Sequence, residues 1–293
     1  MNRAAGAHLR DVWINNIVCG IDFSKPAAEA RGVAVALAKE LGALLRLVHV
    51  TGEPADDAAE LLLAKEARTI GGLPIETIVR RGAPYEELAA IAGDAQLVVV
   101  ASTGHRHGAH WLIGSTAERL VQASPAPVLV IRRADDLCQA IEKHRRARVV
   151  VATDLSPEAE VVIAWAAAWR ENVPSDVHLS YVVNPPREYA RLDIPGRIDR
   201  HEAHPTMEKV LTQELREAAA KFGQEGAEAD FTMTLGATSH ELLRVAEEQR
   251  ADLVVVGAHQ RHRLTRAWQE SVAHGVLHGA HTNVAVIPLA GAA

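Results

Sequence analysis

The stretch ASTGHRHGAHWLIGSTAERL, residues 101–120, carries glycines and hydroxyl groups at a spacing suited to phosphate binding. Gly104 follows an apolar run, and nine residues separate it from Gly114, which precedes Ser115 and Thr116 at the start of a helix pattern. Glycine lets the backbone approach a ligand without an intervening Cβ. Ser115 can cap this helix, whose first-turn N–H groups and dipole attract an anion. The stretch therefore predicts a phosphate cradle.

The elements that position this stretch occur twice in the chain. Residues 17–24, IVCGIDFS, match residues 149–156, VVVATDLS, at an offset of 132 residues. Residues 97–103, LVVVAST, match residues 253–259, LVVVGAH, at an offset of 156 residues. Such self-similarity indicates two copies of one unit.

The two offsets differ because the second copy is longer. Its extra piece, NPPREYARLDIPGRIDRHEAHP at about 184–205, is rich in proline and charge, which favours a loop or lid. We expect one domain at 1–138 and a second at 145–293. The charged segment 132–148 between the copies predicts a solvated linker.

Each copy alternates short apolar runs with helix patterns. The runs of the first copy are 17–21, 44–50, 75–81, 97–102 and 127–133. Strands buried on both faces read as continuous apolar runs of this kind, and the intervening segment 26–41 repeats apolar residues at helical spacing. We therefore predict an α/β fold of two tandem, doubly wound, five-stranded parallel sheets in a pseudo-two-fold arrangement. Ligands then bind at the carboxyl ends of the strands, where Asp22 lies.

With these residues in place, each copy resembles the universal stress protein family, and the chain resembles its tandem form. Nucleotide-binding members of that family carry Gly-x2-Gly-x9-Gly-Ser/Thr after strand four, where the first copy has Ala101-x2-Gly104-x9-Gly114-Ser115. The resemblance implies a Rossmann-like fold of the adenine nucleotide alpha hydrolase-like type. It also implies bound ATP, or AMP or ADP, with Mg²⁺.

The resemblance further implies a role for each matching residue of the first copy. Ile21 and Val50 would face the base, and Asp22 would face the ribose. Gly104, Gly114, Ser115 and Thr116 would hold the phosphates. Two further residues complete the predicted nucleotide site: Ala101, which replaces the first motif glycine, and His105, which would be the general base only in the alternative of a slow ATPase.

The second copy departs from the motif at two positions. Gln260 places a side chain where the backbone must approach the phosphates, and Glu270 places a carboxylate beside them. One close pair of like charges costs about 1–4 kcal/mol. We predict a degenerate second site that binds triphosphate poorly or not at all. It comprises Asp154, Val182, Gly257, Gln260, Glu270 and Ser271.

Other chemistry is less well supported by the sequence. Two histidine groups are spaced closely enough to suggest a metal: His105, His107 and His110, and His274, His278 and His281. Since no HExxH motif occurs and neither cysteine is placed to help, we predict no metal site. No Walker A, GxGxxG or GxSxG motif occurs where an enzyme would need it, so we expect at most weak ATP hydrolysis and no catalytic residue.

Composition narrows the class of protein. The chain has 293 residues, of which 48% are hydrophobic and 23% charged, as in globular proteins. Its net charge of −6 argues against a nonspecific nucleic-acid binder. Two cysteines cannot form a disulfide framework, and no signal peptide or long apolar run is evident. We expect a cytoplasmic protein that does not contact membranes.

These observations favour a nucleotide-binding stress or regulatory protein whose bound state biases an unidentified protein partner. The alternatives are an interaction scaffold that binds no nucleotide and a slow ATPase. The last strands of the copies, at 127–133 and 283–289, are expected to pair and bury both edges. The resulting pseudo-dimer lies within one chain, and a homodimer of chains is left open.

Overall fold

The computed structural model describes residues 14–52, 57–103, 113–194, 204–222, 230–259, 268 and 271–289. These residues form one ten-stranded sheet with helices on both faces. Its strands are β1 (Asn16–Gly20), β2 (Leu44–Thr51), β3 (Ile75–Arg81), β4 (Leu97–Ala101), β5 (Val128–Ile131), β6 (Ala147–Thr153), β7 (Ser175–Val183), β8 (Asp230–Leu235), β9 (Leu253–His259) and β10 (Asn283–Leu289).

Helices alternate with the strands along the chain. They are α1 (Lys25–Leu41), α2 (Asp57–Arg68), α3 (Pro84–Ile91), α4 (Ser115–Ala123), α5 (Ala134–Ile141), α6 (Ala159–Asn172), α7 (Pro185–Arg191), α8 (Pro205–Ala220), α9 (Thr238–Glu248) and α10 (Val272–Gly279). Within the described part of the chain, no helix combines the length and apolar character needed to cross a membrane.

The strand order is β3-β2-β1-β4-β5-β10-β9-β6-β7-β8. Each half is parallel, whereas β5 and β10 pair antiparallel, with Leu129 opposite Ala285. The predicted α/β fold is confirmed, and the two sheets continue into each other through the last strand of each half. In both halves the strand order reverses next to the first strand, between β1 and β4 and between β6 and β9, which is where open α/β sheets bind ligands.

Alternate residues of the strands pack into separate cores on the two faces of the sheet. In β4, Leu97 and Val99 belong to the core that α1 covers, whereas Val98 and Val100 belong to the core that α4 covers. Both cores contain residues from both halves of the chain. This burial on two faces explains why the strands are nearly continuous apolar runs.

The helix predicted at 26–41 forms as α1 and is capped at both ends. The Ser24 hydroxyl accepts a hydrogen bond from the backbone N–H of Ala27, and Gly42 ends the helix with φ of 65°. A left-handed backbone at this position is the usual glycine C-cap. The cap at Ser24 fixes the turn between β1 and α1, in which Asp22 lies.

The solvated linker predicted within 132–148 is wrong, because this segment contains α5. Leu137 and Ile141 of α5 are fully buried and belong to the core that also contains α1. Further along, the Arg145 guanidinium donates to both carboxylate oxygens of Asp252, at 2.6 and 2.9 Å. The high charge density of the segment conceals an apolar stripe at helical spacing.

The insertion predicted as a loop or lid instead contributes helices where the structure describes it. Its prolines begin helices, as proline does in a first turn: α7 starts at Pro185, and α8 starts at Pro205, the last residue of the insertion. Glu188 of α7 is 1% exposed and accepts hydrogen bonds from the Tyr181 hydroxyl and from Arg191. Residues 195–203 lie outside the described part of the chain.

Candidate functional site

A cavity of about 290 Å³ lies at the carboxyl ends of β1, β2 and β4. The described residues of the predicted nucleotide site all line it: Ile21, Asp22, Val50, Ala101, Gly114, Ser115 and Thr116. The structure therefore brings together residues that are up to 95 positions apart in the sequence. Gly104 and His105 lie outside the described residues, as do His107 and His110.

Apolar side chains form one wall of this N-terminal cavity. Val48 and Val50 come from β2, Leu88 comes from α3 and Val100 comes from β4. Most ligand pockets are lined mainly by apolar groups, with a few polar groups that fix orientation. Such a wall suits a flat, weakly polar ring.

Asp22 also lines this cavity and lies in a tight turn between β1 and α1. Its Oδ1 accepts hydrogen bonds from both the backbone N–H and the hydroxyl of Ser24. The next residue, Phe23, adopts φ of 61°, which is uncommon for a side chain of its size. These contacts fix the position of the Asp22 side chain at the cavity.

His49 supports this turn and was not predicted from the sequence. Its Nδ1 lies 2.7 Å from the carbonyl oxygen of Ile21, and its ring packs 4.6 Å from that of Phe23, centroid to centroid. The histidine therefore fixes the end of β1 that lines the cavity. Its position between two apolar residues of a strand gave no signal of this role.

The helix α4 begins at the cavity, but its cap differs from the prediction. Ser115 was expected to cap the helix, whereas the N-cap residue is Gly114 and Ser115 is the first helical residue. Gly114 has no side chain with which to occupy the first-turn N–H groups. Within the described part of the chain no side chain caps this helix, whose first-turn N–H groups can therefore attract an anion in the cavity.

Gly114 also packs closely against the end of β4. Its backbone N–H donates to the carbonyl oxygen of Ser102 at 2.6 Å, and a Cβ added to it would lie 3.3 Å from that oxygen. The glycine backbone is extended, so the position needs glycine for the close approach and not for its conformation. Ser102 and Thr103 are buried and line the cavity, although the sequence analysis did not assign them.

A second cavity, of about 470 Å³, occupies the equivalent place in the C-terminal half. Asp154, Val182, Gly257 and Ser271, four of the residues assigned above to the degenerate site, line it. Gln260 and Glu270 lie outside the described residues, so their predicted effect on phosphate binding stays a prediction. Trp268 also lines this cavity and is buried, as are Trp165 and Trp169 elsewhere in the core.

The two cavities differ at the helix that would hold an anion. Ser271 is the N-cap of α10, and its hydroxyl accepts a hydrogen bond from the backbone N–H of His274 at 3.1 Å. A first-turn N–H of α10 is therefore already bound by the protein itself, unlike the glycine-capped start of α4.

The aspartate that follows the first strand of the C-terminal half contacts the insertion. Asp154 accepts hydrogen bonds from Ser156, as Asp22 does from Ser24, and it is paired with Arg187 of the insertion helix α7. Partial burial raises the pKa of Asp154, yet the hydrogen bonds from Ser156 and Arg187 outweigh it and hold the pKa below its ordinary value.

Gly257, the one motif glycine that the second copy keeps at this end, has a packing role. An added Cβ would lie 2.9 Å from Leu289 Cδ1 and 3.0 Å from Val162 Cγ2. The glycine makes room for side chains of the core. The equivalent residue of the first half, Ala101, lines the N-terminal cavity with its methyl group in place.

The chain is similar in sequence to universal stress proteins along most of its length. The sequence profile of the universal stress protein family matches residues 14–69, 52–132 and 146–288, which is consistent with two such domains in tandem. A universal stress protein of Mycobacterium tuberculosis is 29% identical over 227 residues, covering 76% of this chain and 72% of the relative.

A solved structure that aligns with nearly the whole chain is similar in fold. A universal stress protein from Archaeoglobus fulgidus aligns with a TM-score of 0.68 and 19% identity, covering 94% of this chain and 98% of that chain. Another structure from the same organism, solved in complex with dAMP, has a TM-score of 0.35 and 21% identity, covering 49% of this chain and 98% of that chain.

Proposed function

The chain belongs to the universal stress protein family, and we propose that its N-terminal half binds an adenine nucleotide: ATP with Mg²⁺, or AMP or ADP. The observation that carries this proposal is that one cavity joins three kinds of surface. It has an apolar wall at Val50, a carboxylate at Asp22 and a helix start at Ser115 and Thr116.

Each surface suits one part of a nucleotide. The apolar wall excludes water from the face of a base, the carboxylate accepts hydrogen bonds from ribose hydroxyls, and the start of α4 attracts phosphate through its N–H groups and dipole. Mg²⁺ enters with the nucleotide, because it binds phosphate oxygens more readily than a cage made of protein alone.

The nucleotide acts in this proposal as a regulatory ligand. Its binding energy favours the bound arrangement of the cavity residues, and a protein partner that prefers this arrangement binds more tightly. The domain bounds 1–138 and 145–293 remain part of the proposal. The C-terminal half contributes the paired sheet and a cavity that binds triphosphate weakly.

Matched variants of the full chain test the location of the site. Asp22→Asn and Asp154→Asn change equivalent residues of the two halves. With ATP and Mg²⁺ in a calorimeter, we expect Asp22→Asn to weaken binding about tenfold or more, because hydrogen bonds to a charged group contribute about 1.5–3 kcal/mol. Asp154→Asn should leave the affinity within about twofold. Equal losses in both variants, or a loss in Asp154→Asn alone, would contradict the proposal.

A second variant tests the phosphate end of the site. Gly114→Glu places a carboxylate at the start of α4 and should abolish ATP binding. Far-UV circular dichroism and the melting temperature show whether that variant is folded. Mass spectrometry of the purified chain detects ligand carried through purification. If the wild-type chain neither carries nor binds an adenine nucleotide, the alternative of an interaction scaffold is favoured. If bound ATP releases phosphate, the alternative of a slow ATPase is favoured.

A further inference from the structure

Two histidines of α10 and a glutamate of α4 converge where the two halves of the chain meet. The Glu118 Oε1 atom lies 3.6 Å from His274 Nε2 and 3.3 Å from His278 Nε2. One ligand atom from each of the three side chains lies within 4.8 Å of the other two. The spacing in the sequence groups His274 and His278 with His281, for which no metal site is predicted above, and gives no sign of Glu118 in a distant helix.

The two separations between Glu118 and the histidines are close to those of a coordination sphere. Ligand atoms about 2.1 Å from a tetrahedral zinc ion stand about 3.4 Å from one another. The two imidazole rings lie with their centroids 4.2 Å apart at an interplanar angle of 37°. A small cation between the three atoms needs only slight movement of the side chains.

We propose that Glu118, His274 and His278 bind one zinc-class divalent cation, which joins the two halves of the chain. Imidazole nitrogen and carboxylate oxygen favour Zn²⁺ and its neighbours Co²⁺ and Ni²⁺ over Mg²⁺, which prefers an all-oxygen environment. Three protein ligands leave a fourth position for water or a small anion. This site is separate from the proposed nucleotide site and goes beyond it.

The surroundings of the three side chains suit a metal. His274 and Glu118 are both partly buried, with 22% and 23% of their side chains exposed. Trp268 Nε1 donates to Glu118 Oε1 at 3.5 Å, and its ring meets His274 edge-on at 5.8 Å, centroid to centroid. Such contacts hold ligating groups in place. His278 is 42% exposed, so an ion can reach the site from solvent.

The site depends on the difference between the two copies. Glu118 and His274 occupy equivalent positions at the offset of 156 residues, as do Gln122 and His278. The pseudo-two-fold arrangement brings these side chains of α4 and α10 into contact, so one copy supplies the carboxylate and the other supplies both imidazoles. Neither copy alone contains the ligand set.

Cobalt binding to the full chain tests this proposal without any nucleotide. After treatment with EDTA and dialysis, we expect one Co²⁺ per chain to give a visible d–d absorption band of the tetrahedral type, which Zn²⁺ abolishes. Glu118→Gln and His278→Gln should each remove the band and weaken binding by about a hundredfold or more, since loss of outer-shell partners alone costs roughly 10–100-fold.

The exposed His281, three residues beyond His278, provides the matched control. His281→Gln should retain the band, and circular dichroism should show that all variants are folded. Absence of a band in the wild-type chain, or a band unchanged in both ligand variants, would overturn the proposal. Because the readout uses cobalt alone, this result is independent of whether the N-terminal cavity binds a nucleotide.

Discussion

The Asp154 carboxylate accepts a hydrogen bond from Arg187 Nη1 at 3.0 Å, which ties the insertion of the C-terminal half to the rim of its cavity. Arg187 belongs to α7, which lies in the insertion, and the shorter N-terminal half has no equivalent segment. The same guanidinium also reaches the carbonyl oxygen of Asp154 at 3.4 Å. The carboxylate that matches Asp22 is therefore held by a cation from the same chain.

Removing this cation should change the pKa of Asp154 more than the stability of the protein. In Arg187→Gln the pKa of Asp154 should rise toward its ordinary value, because one hydrogen bond and one positive charge are lost. Both side chains are about half exposed, so the free energy of unfolding should fall by only about 0–1 kcal/mol. The measurement is a carboxyl carbon NMR titration of Asp154. As a control, Arg216→Gln on the exposed side of α8 should leave the pKa unchanged, and an unchanged pKa in Arg187→Gln would contradict the role of the pair.

A buried ion pair holds the segment after α5 to the C-terminal half, and its loss should be costly. Asp252 is 3% exposed and accepts from Arg145 and from the backbone N–H of Arg148. Asp252→Asn should lower the free energy of unfolding at pH 7 by about 1.5–3 kcal/mol, the value typical of hydrogen bonds to charged groups. Urea unfolding measures this loss. Asp176→Asn removes an exposed partner of Arg146 and should cost no more than about 1 kcal/mol.

The same pair makes stability depend on pH in a defined direction. Burial raises the pKa of Asp252, but hydrogen bonds from Arg145 and Arg148 outweigh it and lower the pKa below its ordinary value. A group whose folded pKa is lowered stabilises the protein above its unfolded pKa of about 3.9, and this contribution is lost as the pH falls through the folded pKa. The difference between wild type and Asp252→Asn should therefore be constant from pH 7 to about pH 5 and shrink below about pH 4. A difference that grows on acidification would show that another group dominates.

Much of this fold could be predicted from the sequence because its strands are buried on both faces. Short apolar runs such as LVVVA of β4 are typical of strands that are buried on both faces. Their alternation with helix patterns then predicts a parallel, doubly wound sheet. The cavity residues Asp22 and Val50 follow from the same reasoning, since they end strands at the point where the strand order reverses.

The parts that could not be predicted depend on contacts between distant segments. The apolar stripe of α5 is short and lies among charged residues, so the sequence did not indicate a buried helix there. The ion pair of Arg145 with Asp252 could not be predicted because the two residues are 107 positions apart. The prolines of the insertion suggested a loop, because proline is common both in loops and in the first turn of a helix. The contact that holds α7 to the rest of the domain, the hydrogen bond from Tyr181 to the buried Glu188, is evident only in the structure. The contact of Glu118 with His274 requires the pseudo-two-fold arrangement itself.

The two cysteines should react slowly with thiol reagents in the folded protein. Burial raises the pKa of Cys19 to about 12 and that of Cys138 to about 11. The thiolate is the reactive form, so at pH 8 roughly one Cys138 in a thousand, and one Cys19 in ten thousand, is ready to react. Cys19 is also fully buried in β1, whereas Cys138 is partly exposed on α5.

Labelling with a chromogenic disulfide reagent measures the effects of the raised pKa and of burial on the reactivity of each cysteine. In the native chain we expect slow modification of Cys138 first, with a rate that keeps increasing from pH 8 to about pH 10 because its pKa lies above that range. Cys19 should react only when the chain unfolds, and in urea both residues should react at the rate of a free thiol. The variant Cys138→Ser isolates Cys19 and should show almost no labelling in buffer. Rapid labelling of that folded variant would mean that β1 opens readily, and the strand that leads to Asp22 would then be too mobile to hold one wall of the N-terminal cavity.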